Sequence, residues 1–291
     1  MKLIAGPAST EIAYKMASIM NENLIKIDHK LFPDSENYIR VPEKVEGEDV
    51  VIIQGTHPPQ DRHLIQIFLM VDTLLDLGAR SVKLVAPYLA YTRQDKRFLD
   101  GEAISFKIFL KILHKLKVEK IYTVNIHCPW IIPESPIPIV DVRGEIPLAR
   151  YLQLNKLNNP VVVSVGKKGV EMAKMVAEAL GVRYTAAQSE RDRLTGKVRV
   201  ELDGLPGSEA IIVDDMISTG GTMIELIKIL KSRGFKKIYA TCIHGLLIGD
   251  SAERIFNAGA EKIIASDTIP NRYAEYSVAE ILVKALKNNN D

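Results

Sequence analysis

Two adjacent carboxylates, Asp214 and Asp215, stand shortly ahead of the run Ser218-Thr219-Gly220-Gly221-Thr222. Four apolar residues, 210–213, precede the acids, and apolar residues at helical spacing follow over 222–232. The pattern predicts a strand that stops at the carboxylates, a turn of small residues and a helix start. Small residues let the backbone approach a ligand closely and allow φ > 0. Successive N–H groups at a helix N-terminus favour a phosphate dianion. The hydroxyls of Ser218, Thr219 and Thr222 add donors. The carboxylates cannot usefully face the same anion. They are suited to accept hydrogen bonds from sugar hydroxyls, or to hold water around Mg²⁺. A ribose 5-phosphate group meets both demands, so Asp214, Asp215, Ser218, Thr219, Gly220, Gly221 and Thr222 are its expected site. A lone pair of glycines would be read as a capped turn. Strand, acidic pair and Thr-Gly-Gly-Thr together argue against that.

A second concentration of charge lies in the first half. Arg93, Lys96 and Arg97 gather around Gln94 and Asp95, close to Tyr88 and Tyr91. Arginine suits bidentate phosphate binding, and glutamine suits an adenine or ribose edge. Such a run is usually a solvated loop. Here it follows an apolar strand end, where α/β folds bind ligands. The chain has no G-x-x-x-x-G-K-[ST], so a nucleotide site would not be of Walker type. Read by themselves, residues 32–36 also fit a surface turn, and His127 also fits a satisfied core histidine.

These residues need strand ends to carry them. Apolar runs at 2–5, 50–54, 82–86, 120–124, 161–164, 210–213, 237–242 and 262–265 are mostly continuous rather than alternating, as in parallel strands covered on both faces. Helical patterns alternate with them, among them 64–77, ending at Gly78, and 222–232, ending near Gly234. That order predicts α/β architecture with right-handed crossovers. Strand, loop, helix, glycine and strand recur in each half, so two similar domains are expected, 1–143 and 144–291, with the junction near 140–146. The 291 residues allow about two domains at roughly 100–200 residues each. A net charge of +2 is too small to make nucleic acid or membrane the main partner. Cys128 and Cys242 lie in apolar stretches without metal-ligand spacing, so buried thiols in a reducing compartment are expected. No apolar run approaches the roughly 20 residues that span a bilayer, and the N-terminus lacks a signal-peptide pattern. A cytoplasmic protein is expected.

Five segments carry a family resemblance. They are Phe32-Pro33-Asp34-Ser35-Glu36 with Tyr38-Ile39-Arg40, the block YTRQDKRF at 91–98, Gly101-Glu102-Ala103-Ile104-Ser105, Asn125-Ile126-His127, and VDDMISTGGT at 213–222. Together they resemble the ribose-phosphate pyrophosphokinases (phosphoribosyl diphosphate, PRPP, synthases), archaeal forms in particular. The likeness runs from the first strand to about Leu282. It implies two tandem phosphoribosyltransferase-like (type I) domains, each a mostly parallel sheet flanked by helices. It implies the reaction of MgATP with ribose 5-phosphate to give PRPP and AMP. By resemblance, Phe32, Asp34, Ser35, Glu36, Arg93, Gln94, Asp95, Arg97 and His127 bind ATP, and His127 meets the Mg²⁺ on its phosphates. The 32–36 loop would reach the ATP of a neighbouring subunit, which implies a homo-oligomer, at least a dimer. The family's basic catalytic pair falls on Arg191, in place of a lysine, and Arg193. A second departure is Gly166, where the family carries an acid, followed by Lys167 and Lys168. These departures leave a catalytically weak or regulatory paralogue as the alternative.

Overall fold

The computed structural model describes residues 1–97, 99–155, 157–166, 169–191, 198–201 and 209–288. The chain forms two compact units. One holds residues 1–143 with the segment from Val278 onward, the other Gly144–Ser277.

The first unit opens with β1 (Lys2–Ala5), α1 (Thr10–Met20) and β2 (Leu24–Lys26). A hairpin follows, β3 (Asp28–Leu31) and β4 (Asn37–Arg40). Then come β5 (Asp49–Ile53), α2 (Gln60–Asp76), β6 (Ser81–Ala86), α3 (Ser105–Lys115), β7 (Lys120–Val124) and β8 (Ile139–Val142). Six strands make one parallel sheet in the order β2-β1-β5-β6-β7-β8. Val50, Val51, Ile52 and Ile53 are wholly buried, as a strand covered on both faces requires. Ile67, Met70, Val71 and Leu74 of α2 and Phe106, Phe109, Leu110 and Leu113 of α3 join the same apolar core.

The second unit runs α4 (Glu145–Leu154), β9 (Val161–Val165), α5 (Val170–Leu180), β10 (Tyr184–Arg191) and β11 (Val198–Glu201). It continues with β12 (Glu209–Ile217), α6 (Gly221–Ser232), β13 (Lys237–Gly245), α7 (Ser251–Asn257), β14 (Lys262–Ser266) and β15 (Ala274–Tyr276). Its sheet order is β11-β10-β9-β12-β13-β14-β15, with β11 antiparallel to β10 and the other pairs parallel. Without β11, this is the order of the first sheet.

The correspondence extends to the hairpins. Residues 184–187 of β10 pair with β9, and residues 188–191 turn to pair with β11. In the first unit β2 pairs with β1, and β3 with β4. The β3–β4 hairpin therefore occupies the same place in its repeat as the β10–β11 pair does in the other.

All eight expected strands are present. The short edge strands β2, β8 and β15, the longer β10 and the hairpin strands β3, β4 and β11 were not among them. One domain assignment is corrected. The expected second domain ran to the C-terminus, but the last helix, α8 (Ala279–Asn288), belongs to the first unit and packs on α1, β7 and β8. Its buried Leu282, Val283 and Leu286 form an apolar stripe at helical spacing, which needs a core but not the nearest one in sequence. The counterpart α4, which follows β8, belongs to the second unit and packs on α5. No helix among the described residues is long and apolar enough to cross a membrane. Leu282→Ala should lower the free energy of unfolding by about 2–5 kcal/mol in a urea melt, the usual cost of emptying a buried leucine site. A cost near zero would mean that α8 is not packed.

Candidate active site

In the second unit β12 does not stop at the carboxylates. It continues through Asp214 and Asp215 to Ile217, because β13 supplies pairing partners as far as Gly245. The low strand propensity of aspartate is overridden by that pairing. Both aspartates are half-buried, and the Asp215 amide donates to Asp214 Oδ1 at 2.9 Å. Burial first, then the Asp214 carboxylate, pushes the Cys242 thiol well up, so it stays protonated.

The turn that follows is fastened from the β13 side. Leu247 N–H donates to Ile217 O at 2.9 Å and Ile248 N–H to Ser218 O at 3.1 Å. Gly220 adopts φ +74°, and a Cβ there would lie 3.1 Å from Ile255 Cδ1. The fold therefore demands glycine at 220. Gly221 differs: no atom lies within 4 Å of where its Cβ would be. Among the described residues nothing requires glycine at 221, the first residue of α6. The first N–H groups of a helix have no partner within it. Thr219 and Gly221 are exposed, and Ser218 and Thr222 half-buried.

Arg191 closes β10, its backbone paired with Val198. Arg193, Lys167 and Lys168 lie outside the described residues. Gly166 has φ +71°, in the left-handed region that favours glycine.

In the first unit the 93–97 turn follows β6, and His127 follows the neighbouring parallel β7. Both lie at the C-terminal edge of the sheet. Thr56 clamps the start of the turn: its hydroxyl donates to Tyr88 O at 3.1 Å and accepts from Ala90 N–H at 2.7 Å. The Tyr91 hydroxyl is hydrogen-bonded to Asp61. Arg93, Gln94, Lys96 and Arg97 are exposed, whereas Asp95 is buried. Ser105 Oγ donates to Gln94 Oε1 at 2.5 Å, and Arg97 Nε to Glu102 O at 2.9 Å. His127 is half-buried, and Ile126 N–H beside it donates to Asp141 Oδ1 at 2.9 Å.

The β3–β4 hairpin is exposed along its β3 strand, yet it has a buried anchor. Gln54 Oε1 accepts from Ala8 N–H, and Gln54 Nε2 donates to Gln66 Oε1, each at 2.9 Å. Gln66 Nε2 then reaches Asn37 Oδ1 at 2.9 Å and His29 Nε2 at 3.1 Å. A Cβ at position 6 would fall 2.2 Å from Gln54 Oε1, so Gly6 makes room for this ladder. At the tip, Asp34 Oδ1 accepts from Glu36 N–H at 3.1 Å, and Ser35 has φ +75°. The Phe32 ring is 40% exposed, with Lys30 Nζ 5.2 Å from its centroid.

The expected residues thus fall into two groups, one per unit. Gln54, Gln66, Thr56, Asp61 and Trp130 support them and were not anticipated. Their roles come from long-range contacts that no local pattern encodes, although the small residue at Gly6 was a possible trace of the Gln54 approach.

The comparisons cover nearly the whole chain. Residues 1–116 match the N-terminal domain of ribose phosphate pyrophosphokinase, and residues 147–264 match the phosphoribosyl transferase domain. The ribose-phosphate pyrophosphokinase of Sulfolobus acidocaldarius is 38% identical over 97% of this chain and 97% of its own length. That of Methanothermobacter thermautotrophicus is 35% identical over 98% of this chain and 100% of its own. Among solved structures, phosphoribosylpyrophosphate synthetase from Mycobacterium smegmatis superposes with a TM-score of 0.88 at 26% identity, covering 98% of this chain and 97% of that one.

Gly220→Ala should cost about 1–2 kcal/mol of stability, the penalty of a left-handed non-glycine residue, while Gly221→Ala should leave the melting temperature nearly unchanged. Equal effects would contradict the difference between the two positions. A pH effect follows from His57, in the loop after β5. Burial first, then His63, lowers its pKa from 6.5 to about 4. Its folded value lies below its unfolded one, so its contribution to stability is complete above pH 6.5 and is lost as pH falls through about 4. His57→Asn should make the fall in melting temperature over that interval shallower than in the wild type.

Proposed function

Because the chain belongs to the ribose-phosphate pyrophosphokinase family, we propose how its own residues carry that family's reaction. The enzyme transfers the β,γ-diphosphoryl group of ATP to the anomeric hydroxyl of ribose 5-phosphate, giving PRPP and AMP. The anomeric oxygen attacks the β-phosphorus. The bond from that phosphorus to the α-phosphate's bridging oxygen breaks, and AMP leaves with the electron pair. The hydroxyl proton passes to solvent. Such a reaction asks little covalent work of a protein; alignment and neutralisation of charge carry the rate.

In our reading the α6 amides and the hydroxyls of Ser218, Thr219 and Thr222 hold the 5-phosphate. Asp214 and Asp215 accept hydrogen bonds from the ribose hydroxyls. The observation that carries this assignment is the order in the fold: two half-buried carboxylates near the end of β12, then a left-handed glycine turn into the first residues of α6. Arg93, Gln94 and Arg97 bind the nucleotide from their exposed turn. Phe32 and Glu36, at the tip of a hairpin whose β3 strand is exposed, reach the adenine of a neighbouring subunit's ATP, which makes the working enzyme at least a dimer. Asp34 also shapes that tip through its bond to Glu36 N–H. Arg191, which ends β10 where it pairs with β11, and Arg193 neutralise the transferring group.

Mg²⁺ enters with ATP. The described residues hold no group of three His, Cys, Asp or Glu side chains that would cage an ion. A hard cation of this kind would keep several waters and take phosphate oxygens. His127, just after β7, would be the residue that meets the metal–triphosphate, and the ion would supply neutralisation of phosphate charge.

Purified protein given MgATP and ribose 5-phosphate should form AMP and PRPP in equal amounts, and no turnover would refute the activity. Asp214→Ala should weaken ribose 5-phosphate binding at least tenfold more than ATP binding, an estimate of about 1.4 kcal/mol or more for a lost charged hydrogen bond; parallel losses would displace Asp214 from its role. Arg191→Ala should lower kcat with little change in KM, and undiminished turnover would exclude it from the chemistry.

A further inference from the structure

Within the exposed turn 93–97, Asp95 stands apart. It is only 8% exposed, while Arg93, Gln94, Lys96 and Arg97 around it are all exposed. A buried carboxylate needs a hydrogen-bond donor, because burying an unpaired charge is costly. Its Oδ2 accepts from Trp130 Nε1 at 2.6 Å. Trp130 belongs to the 3-10 turn Pro129–Glu134, directly after His127 and Cys128. The same bond therefore joins the cationic turn that follows β6 to the His127 segment that follows β7.

We infer that Asp95 and Trp130 form a positioning pair, which sets the cationic turn against His127 so that both meet one nucleotide triphosphate. The inference rests on reading residues 93–97 as the nucleotide turn. Three features support it. A buried carboxylate facing an indole is poorly placed to bind phosphate, and its charge repels anions. Its effect on a triphosphate is therefore exerted through the groups it holds. The indole has one N–H and no other donor, so the bond is specific to that atom pair. Two further ties of the turn, Gln94 to Ser105 and Arg97 to Glu102, are local to the β6–α3 connection. The Trp130–Asp95 bond crosses to the next strand's loop. A shift of about 1 Å between groups that grip one substrate is enough to cost a large factor in rate.

Trp130→Phe tests this directly. It keeps an aromatic ring at a site that is 50% exposed, but deletes the donor. The KM for ATP should rise roughly tenfold or more, the loss expected for a hydrogen bond to a charged group. The KM for ribose 5-phosphate should stay within about twofold. Asp95→Ala and the double variant should show the same rise as Trp130→Phe, since partners in one bond are not additive. An unchanged KM for ATP in Trp130→Phe overturns the inference, even if its melting temperature falls. So do multiplying effects in the double variant, or equal losses for both substrates. Arg93→Ala and Arg97→Ala separate this from the underlying reading. If they leave the KM for ATP unchanged, the nucleotide turn itself is misassigned. If they raise it and Trp130→Phe does not, the positioning pair alone fails.

Discussion

Everything at the sugar-phosphate end depends on one constraint: backbone amides at a helix start must be held open toward solvent at a fixed place. Isolated amides bind phosphate weakly, because water competes and the chain must be ordered. Here β12 is locked between β9 and β13, and the loop after β13 fastens Ile217 and Ser218 from the side. The ordering cost is met by folding, before a ligand arrives. Gly220 turns the chain at φ +74° against Ile255, and Gly221 leaves the front clear. One glycine serves the fold, and the next is proposed to serve the ligand.

The duplicated sheet order gives the second organising fact. Corresponding strands deliver different chemistry at the same edge. After β12 comes an amide cradle. After β5, its counterpart, come Gly55 and Thr56, and the Thr56 hydroxyl braces the 88–90 backbone instead. The hairpin that presents Phe32 and Glu36 corresponds to the one that ends β10 at Arg191. A single supersecondary unit thus underlies both the proposed adenine contact and the proposed catalytic arginines. The units also trade their final helices in chain order, α4 completing the second and α8 the first.

The central strands were legible in the sequence because burial on both faces leaves an unbroken apolar run, such as Val50 to Ile53. The edge strands were not. β3 is exposed throughout, and it holds its place through Asn37 and His29 on Gln66, contacts that close over long sequence separations. Asp214 and Asp215 looked like a strand end since aspartate disfavours strands, and only pairing with β13 shows that they lie inside one. The turn from β12 into α6 was readable because glycine, hydroxyl and acid types occur there at fixed spacing. The burial of Asp95 was not, since its neighbours are all charged or polar and Trp130 is remote in sequence. The helix α8 showed its stripe clearly but not which core would receive it.

A crystal structure with ribose 5-phosphate bound tests the central claim most directly. The account predicts the sugar's phosphorus facing the start of α6, with its oxygens about 3 Å from the amides there, the ordinary length of such bonds, and the pentose hydroxyls turned toward Asp214 and Asp215. Density for the sugar elsewhere, with the space before Gly221 left to solvent, would contradict it.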